Sequence, residues 1–498
     1  MAEAYAELER RFRRLGILRG AGAVLGWDRQ TMMPVGGADD RTEQAAALAL
    51  VDHETLTDAS MGALLDSAEA DEAGALEQWE SANLRLMRRQ WIHANAVEAG
   101  LVEALTRAAA AAEMRWRTAR AEDDFAGFAP LLAEVVALVR EVAAATATAL
   151  GCTPYEALLD SFEPHGRTAD IDALFADLET FLPGFLAQVI ERQAGRPAPL
   201  PLDGPFPVAA QRDLGRRLMA VIGFDFDHGR LDVSDHPFTG GTPGDVRITT
   251  RYHDDDFAKS LMAVLHETGH ALYERGLPAA WRYQPVGESA SMSLHESQSL
   301  LLEMQACRGE AFIGFAAPLM RDAFGGDGPA WDAGNLHRLA TRVAPGLIRV
   351  DADEVTYPAH ILLRYRLEKA LIAGDLAVDD LPGAWNDGMQ ALLGVTPPDD
   401  RLGCLQDIHW AEGLFGYFPT YTLGALIAAQ LFDAATAADP DIVPGIGRGD
   451  FAPLMRWLRA QVHELGASLT TAELVERATG RPLDVAVFKA HLETRYLA

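Results

Sequence analysis

The chain has 498 residues, of which 49% are hydrophobic and 23% charged, enough for a sizeable buried core under an ordinary soluble surface. A formal net charge of -29 argues against nonspecific binding to nucleic acid or to an anionic membrane, because both need basic patches. Three cysteines, Cys152, Cys307 and Cys404, without a CxxC spacing, argue against a disulfide framework and point to a reducing, cytoplasmic setting.

The opening stretch MAEAYAELERRFRRLG is charged and helical in pattern, with no apolar run of the kind a signal peptide carries. The first 200 residues read as successive helices rich in Ala, Leu, Glu and Arg, and the Ala-rich part from Val102 to Leu150 suits closely packed helices. There is no repeat of 20–50 residues and no sustained heptad run. The Pro-rich break Gly195–Pro207 (GRPAPLPLDGPFP) reads as an exposed loop rather than a linker. A single domain over residues 1–498 is therefore expected, with a helical N-terminal lobe over 1–200 and a catalytic lobe over 201–498.

After that break the texture changes. LDVSDHPFTGGTPGDVRITTRYHDDD (Leu231–Asp256) offers two short β-like runs about a Gly/Pro turn, and Asp245–Tyr252 alternates as a strand does. From Asp256 the pattern is helical to the end. One uncharged stretch, Gly413–Phe432, is long enough to span a bilayer, but it contains Pro419 and Gln430 and lacks basic flanks. It reads as a buried loop followed by a core helix. The fold class expected is mainly α, with one small accessory sheet beside the helix that follows it.

That helix carries the chemistry. DDDFAKSLMAVLHETGHALYERG begins with aspartates suited to an N-cap and places Phe257, Leu261, Val264, Leu265, Thr268 and Leu272 on one face. His266 and His270 lie one turn apart, so their imidazoles point the same way and can clamp one tetrahedral Zn²⁺. Glu267 is placed as a general base rather than a ligand. A buried helix with two hydrogen-bonded histidines is the plainer alternative. A third ligand should come from a returning helix, and HESQ (His295–Gln298) supplies Glu296. Glu303 is the rival, two turns further along the same face and nearly 10 Å up the axis on regular helical geometry.

With these residues in view the chain resembles the thermostable carboxypeptidase Taq family of zinc metallocarboxypeptidases. The likeness runs through GWDRQTMMP (Gly26–Pro34), HPF (His236–Phe238), DVRIT (Asp245–Thr249), HETGH, HESQ, IRVDAD (Ile348–Asp353) and GCLQDIHW (Gly403–Trp410). It implies a metal on His266, His270 and Glu296, with Glu267 as the base. It further implies removal of single C-terminal residues from peptides with broad side-chain tolerance, a two-lobed helical body with a deep groove, and a homodimer. Zn²⁺ is the expected ion, with Co²⁺ a candidate substitute. The partners expected are peptides with a free C-terminus, and neither nucleic acid nor membrane.

A carboxypeptidase must also hold a free α-carboxylate, which a buried arginine does best. Arg349 and Arg247 are the candidates. The resemblance favours Arg349, oriented by Asp351 and Asp353, with Arg247 in support; a structural salt bridge is the alternative for each. The strand Asp245–Tyr252 is either an edge that pairs with an extended peptide or part of a structural hairpin. Developing oxyanion charge needs a donor, and His409, Tyr417 and Tyr421 are at hand. GYFPTY resembles the Gly-Tyr-x-x-x-Tyr pattern of related helical zinc oligopeptidases, which favours Tyr421. His236 either lines the pocket or sits in the core. Trp27, Asp28 and Met33 have no evident chemical role. The rival activities are an oligopeptidase or dipeptidyl carboxypeptidase on a related fold, and an inert helical scaffold with structural zinc.

Overall fold

A computed structural model describes residues 3–498, and among them helices dominate, with a single three-stranded sheet. The chain divides into two compact units. One holds the chain up to Trp91, Pro199–Thr341 and Gly424–Leu483; the other holds Ile92–Ala198, Arg342–Leu423 and Asp484–Ala498. The chain therefore passes between units after Trp91, Ala198, Thr341, Leu423 and Leu483, where the sequence pattern predicts one division near residue 200. Hydrophobic periodicity shows which face of a helix is buried but not which distant segment covers it.

The sheet lies in the first unit. Its order is β1 (Gly229–Val233), β3 (Asp245–Thr250), β2 (Thr239–Thr242), with β1 parallel and β2 antiparallel to β3. The strand Asp245–Tyr252, for which a peptide-pairing edge and a structural hairpin are both open on sequence, supplies β3, the central strand, hydrogen-bonded on both sides, and β2 is an edge. Val246 and Ile248 of β3 point inward and pack with Val264 and Ala271 of the helix Phe257–Gly276, and with Met219 and Phe224.

The helix Phe257–Gly276 starts where the sequence says it should. The Asp256 carboxylate accepts from Ala258 N and Lys259 N, satisfying two of the donors a helix start leaves open. Phe257, Leu261, Leu265 and Leu272 enter a core shared with Leu294 and Leu301 of the returning segment and with Ile427 and Leu431 of the helix Pro419–Ala438. Each such side chain contributes about 1.5–3 kcal/mol of burial free energy. The returning helix, Met292–Leu300, is capped by Ser291, whose hydroxyl accepts from Leu294 N, and it runs on into a π-helical turn, Leu301–Cys307.

Gly269, inside HETGH, sets how closely these helices approach. A Cβ there would lie 2.4 Å from Gln298 O and 2.6 Å from Ser299 Cα, so only glycine admits the returning backbone. Gly424 does the same from the helix Pro419–Ala438, where a Cβ would lie 2.8 Å from Glu296 Cγ. The amide oxygen of Gln298, in HESQ, meets His463 Nε2 at 3.0 Å.

In the second unit the Ala-rich helices Ala99–Glu122 and Phe125–Leu150 pack together, burying Ala108, Ala112, Ala119, Ala143 and Ala147. The helix Thr168–Ala194 is long and apolar enough to cross a membrane by length and composition, but its buried residues, from Ile171 through Phe175, Leu178 and Leu182 to Val189, form one stripe that packs on other helices of its unit. The uncharged stretch after Gly413 is a loop up to Phe418, followed by a helix with Leu426, Ile427 and Leu431 buried. Glu368, on the helix Tyr357–Ala373, is fully buried, and it accepts from Tyr155 Oη (2.7 Å), Trp410 Nε1 (2.9 Å) and Gly416 N (3.1 Å). Burial pushes its carboxyl up to about 7 against the pull of those donors.

Two outcomes follow from this packing. Gly269→Ala overpacks the helix contact and should cost about 1–3 kcal/mol in urea denaturation, with loss of metal affinity. Glu368 holds its proton more tightly folded than unfolded, so its contribution is complete below the ordinary carboxyl range and fades as pH rises through about 7. Denaturation across this range should show the parent losing roughly 3 kcal/mol relative to Glu368→Gln, whose amide cannot titrate.

Candidate metal centre

His266 and His270 extend from one face of their helix, and Glu296 meets them from the returning helix. Glu296 Oε2 lies 3.4 Å from His270 Nε2 and 3.8 Å from His266 Nε2, and one ligand atom from each of the three residues falls within a 4.8 Å span. Bonds of about 2.1 Å to a tetrahedral ion place ligand atoms about 3.4 Å apart, so this spacing suits a single metal ion. The side chains of His266, His270 and Glu296 are 21%, 14% and 13% exposed.

The far sides of the imidazoles determine their tautomers. His266 Nδ1 lies 2.9 Å from Glu303 Oε2, and the other oxygen of Glu303 accepts from Arg308 Nη2 at 2.8 Å. A carboxylate only accepts, so His266 donates from Nδ1 and its Nε2 lone pair faces the triad. On the other side Glu274 Oε1 meets His295 Nε2 at 2.8 Å, and His295 Nδ1 meets His270 Nδ1 at 2.7 Å. With His295 donating to Glu274, its Nδ1 accepts from His270, and again Nε2 is the free lone pair. Both histidines thus turn Nε2 toward the triad, and an ion bound there would take each ring in its neutral form, displacing any proton on Nε2. Burial pulls both imidazoles down; at His266 the carboxylates Glu296, Glu303 and Glu267 outweigh it and hold the ring well above its ordinary range, whereas at His270 burial prevails. Burial pushes Glu296 up, but the surrounding histidines hold it well below the usual carboxylate range. This concentration of negative charge around two aligned Nε2 atoms is what a divalent cation requires, so the residues present fit the ion.

Glu303, the rival third ligand, is the partner of His266 instead. Regular helical geometry carries it up the axis, but the π-helical turn from Leu301 widens the helix and alters its phase, a feature often found at functional sites. His295 and Glu274 escape the sequence reading. The available signals are the i, i+4 spacing of His270 and Glu274 and the position of His295 next to the ligand.

Glu267 is buried beside the triad. Thr239 Oγ1, at the start of β2, donates to its Oε2 at 2.7 Å. His236 is exposed, so it is not a core histidine; its carbonyl oxygen accepts from the hydroxyls of Ser234 and Thr249. Arg247 forms a 2.6 Å ion pair with Asp245 and lies over the Trp27 ring at 4.4 Å. Arg230, its register partner on β1, covers the same ring at 4.9 Å. Trp27 therefore has a structural role, joining the N-terminal helix Glu3–Thr31 to the sheet through two cation–π contacts. Asp28 pairs with Arg41.

A second cluster lies in the second unit. Arg349 is buried, and its Nε and Nη2 donate to Asp407 Oδ1 at 3.0 and 2.8 Å. Arg364, fully buried, donates to Asp407 Oδ2 and to Gln406 Oε1. Asp407 of GCLQDIHW thus orients Arg349, the role expected of Asp351 and Asp353. Asp353 instead caps a turn, accepting from Val355 N, Thr356 N and Ala344 N. Two guanidiniums facing one carboxylate leave one positive charge over, which suits an incoming carboxylate. Arg349 also lies over Tyr421 at 5.1 Å and Phe418 at 5.6 Å. His409 packs, tilted, against Phe418 (4.5 Å) and Tyr417 (5.7 Å); burial, reinforced by Arg349 and Arg364 against Asp407, pulls it down to about 4, so it is neutral at pH 7. Tyr417 meets Tyr421 at 5.2 Å, edge to face.

The family model described as carboxypeptidase Taq (M32) metallopeptidase matches residues 7–496. The chain is 41% identical to thermostable carboxypeptidase 1 of Thermus thermophilus, over 99% of this chain and 98% of that protein. It is 34% identical to carboxypeptidase 1 of Bacillus subtilis, over 95% and 94%. Among solved structures it is similar to Trypanosoma cruzi metallocarboxypeptidase 1, with a TM-score of 0.97 and 43% identity over 100% of both chains.

Glu303→Gln keeps the shape of the His266 partner but removes its charge. It should weaken metal affinity about 10–100-fold with little change in thermal stability of the metal-free protein, as read by competition with a chromophoric chelator.

Proposed function

This chain belongs to the carboxypeptidase Taq (M32) metallopeptidase family and is a metallocarboxypeptidase, and on that premise we propose that it uses Zn²⁺ to remove single C-terminal amino acids from peptides, with broad side-chain tolerance. The observation that carries the reading is the convergence of His266, His270 and Glu296 beside the buried carboxylate of Glu267. Held by those three side chains, the ion would supply a Lewis acid for the scissile carbonyl and a lowered pKa for a water, and Co²⁺ is expected to replace it.

The residues of this chain do the rest. Glu267 takes a proton from the attacking water as its oxygen bonds to the carbonyl carbon. When the C–N bond breaks, the same carboxyl returns the proton to the departing amine, so one water is added across one amide. Arg349, held by Asp407 and carrying charge that Asp407 shares with Arg364, binds the α-carboxylate. Tyr421 is the proposed donor to the developing oxyanion, with neutral His409 the other candidate. Tyr417 and His236 are assigned to substrate contact. Arg247, given its pairing with Asp245 and Trp27, is assigned a supporting part through the sheet. Three free thiols support a reducing, cytoplasmic setting, and the resemblance supports a homodimer.

Mass spectrometry of products from one peptide with a free and with an amidated C-terminus tests the assignment. The free form should shorten by one residue per step, and amidation should lower cleavage at least about 10–100-fold, the worth of a charge-assisted pairing. Release of dipeptides would assign a dipeptidyl carboxypeptidase instead, and internal fragments or equal cleavage of the amide would assign an oligopeptidase.

A further inference from the structure

The HPF and DVRIT segments meet in the sheet, and neither supplies a metal donor. Thr249 is fully buried and grips Phe238 on both sides of its backbone. Phe238 N donates to Thr249 Oγ1 at 3.0 Å, and Thr249 N donates to Phe238 O at 2.9 Å. The buried Ser234 hydroxyl adds a 2.7 Å contact to the same Oγ1. The next residue along this clamped backbone is Thr239, the first of β2. Its register partner on β3 is Ile248, which packs with Val264 and Ala271 of the HETGH helix. The sheet and the helix therefore share one core, and the hydroxyl of Thr239 is fixed relative to Glu267. Its Oγ1 lies 2.7 Å from Glu267 Oε2 and 3.1 Å from the Glu267 carbonyl oxygen. A threonine hydroxyl has one proton to give, and the carboxylate is both nearer and the stronger acceptor.

We propose that Thr239 is a positioning residue for the reaction, its hydroxyl holding Oε2 of Glu267 so that Oε1 is presented to the attacking water. The proposal rests on Glu267 acting as the base. The last torsion of a glutamate is broad and roughly two-fold, so a carboxylate without a fixed donor spreads over orientations. One hydrogen bond from a clamped strand selects among them. This gives HPF and DVRIT a shared purpose. Thr249 fixes Phe238, Phe238 fixes Thr239, and Thr239 orients the base. Misplacing a reacting group by about 1 Å costs on the order of 10²-fold in rate, which sets the scale of the effect.

The test compares Thr239→Val, Thr239→Ser and Glu267→Gln with the parent zinc enzyme. It uses steady-state kinetics on an unblocked peptide, zinc affinity by competition with a chromophoric chelator, and crystal structures of the parent and Thr239→Val. Thr239→Val should lower kcat about 30–100-fold, with KM and zinc affinity within about twofold of the parent. Thr239→Ser should recover kcat to within about threefold, because the hydroxyl returns. In Thr239→Val crystals the Glu267 carboxylate should be rotated or spread over two orientations. A kcat for Thr239→Val within about twofold of the parent overturns the proposal, as does Thr239→Ser being as slow as Thr239→Val, or a loss lying wholly in KM or zinc affinity. Where Thr239→Val does not fold, Thr239→Ala takes its place with the same outcomes. An active Glu267→Gln overturns the base assignment and this proposal with it, whereas an inactive Glu267→Gln beside a fully active Thr239→Val overturns this proposal alone.

Discussion

Gly269 has no Cβ, and the backbone of the returning helix occupies the space that one would fill. The contact sets the distance between two helices, and so the distance between their ligands. His266 and His270 are placed by helical periodicity alone, but they become a three-donor centre only if Glu296 arrives at a separation of 3.4–3.8 Å from their Nε2 atoms. One added methyl on the helix face would push the partner away by more than the tolerance of a metal bond. Gly424 imposes the same closeness on the far side of Glu296. The apolar core beneath, from Leu265 and Leu272 to Leu294 and Leu431, supplies the free energy that holds the helices together.

Around the donors lies a second layer of hydrogen bonds that decides what each donor can do. Glu303 and the Glu274–His295 pair take up both Nδ1 positions, so both Nε2 atoms face the triad. Thr239 occupies one oxygen of the base. In the second unit Asp407 performs the same service for Arg349 and leaves the cluster with a surplus of positive charge, the basis of the carboxylate-binding role proposed for it. Each group proposed to react or bind is therefore oriented by a neighbour that is given no chemistry of its own.

The local parts of this arrangement are legible in the chain. The i, i+4 histidines, the aspartate cap, the apolar stripe and the strand before the helix all follow from periodicity and end signals that span a few residues. What depends on distant pairing is not. The order of three short strands decides that β3 is central, and nothing in DVRIT alone reveals that β1 covers its other side. Asp407 lies 58 residues from Arg349, whereas Asp353, nearer in sequence, caps a turn. Glu303 is hidden for a different reason. A 3.6-residue wheel cannot anticipate the π-helical turn that brings it to His266. The interleaving of the two units is likewise a property of tertiary packing rather than of composition.

The whole account depends on three side chains accepting one ion through chosen atoms. Crystals of the zinc-loaded protein measured on both sides of the zinc absorption edge examine that directly. The account predicts one strong anomalous peak about 2.0–2.2 Å from His266 Nε2, His270 Nε2 and a Glu296 carboxylate oxygen, with Glu303 hydrogen-bonded to His266 and outside bonding distance of the ion. A peak bonded to Glu303, or to Nδ1 of either histidine, or the absence of any peak at the triad in zinc-loaded crystals, would contradict it.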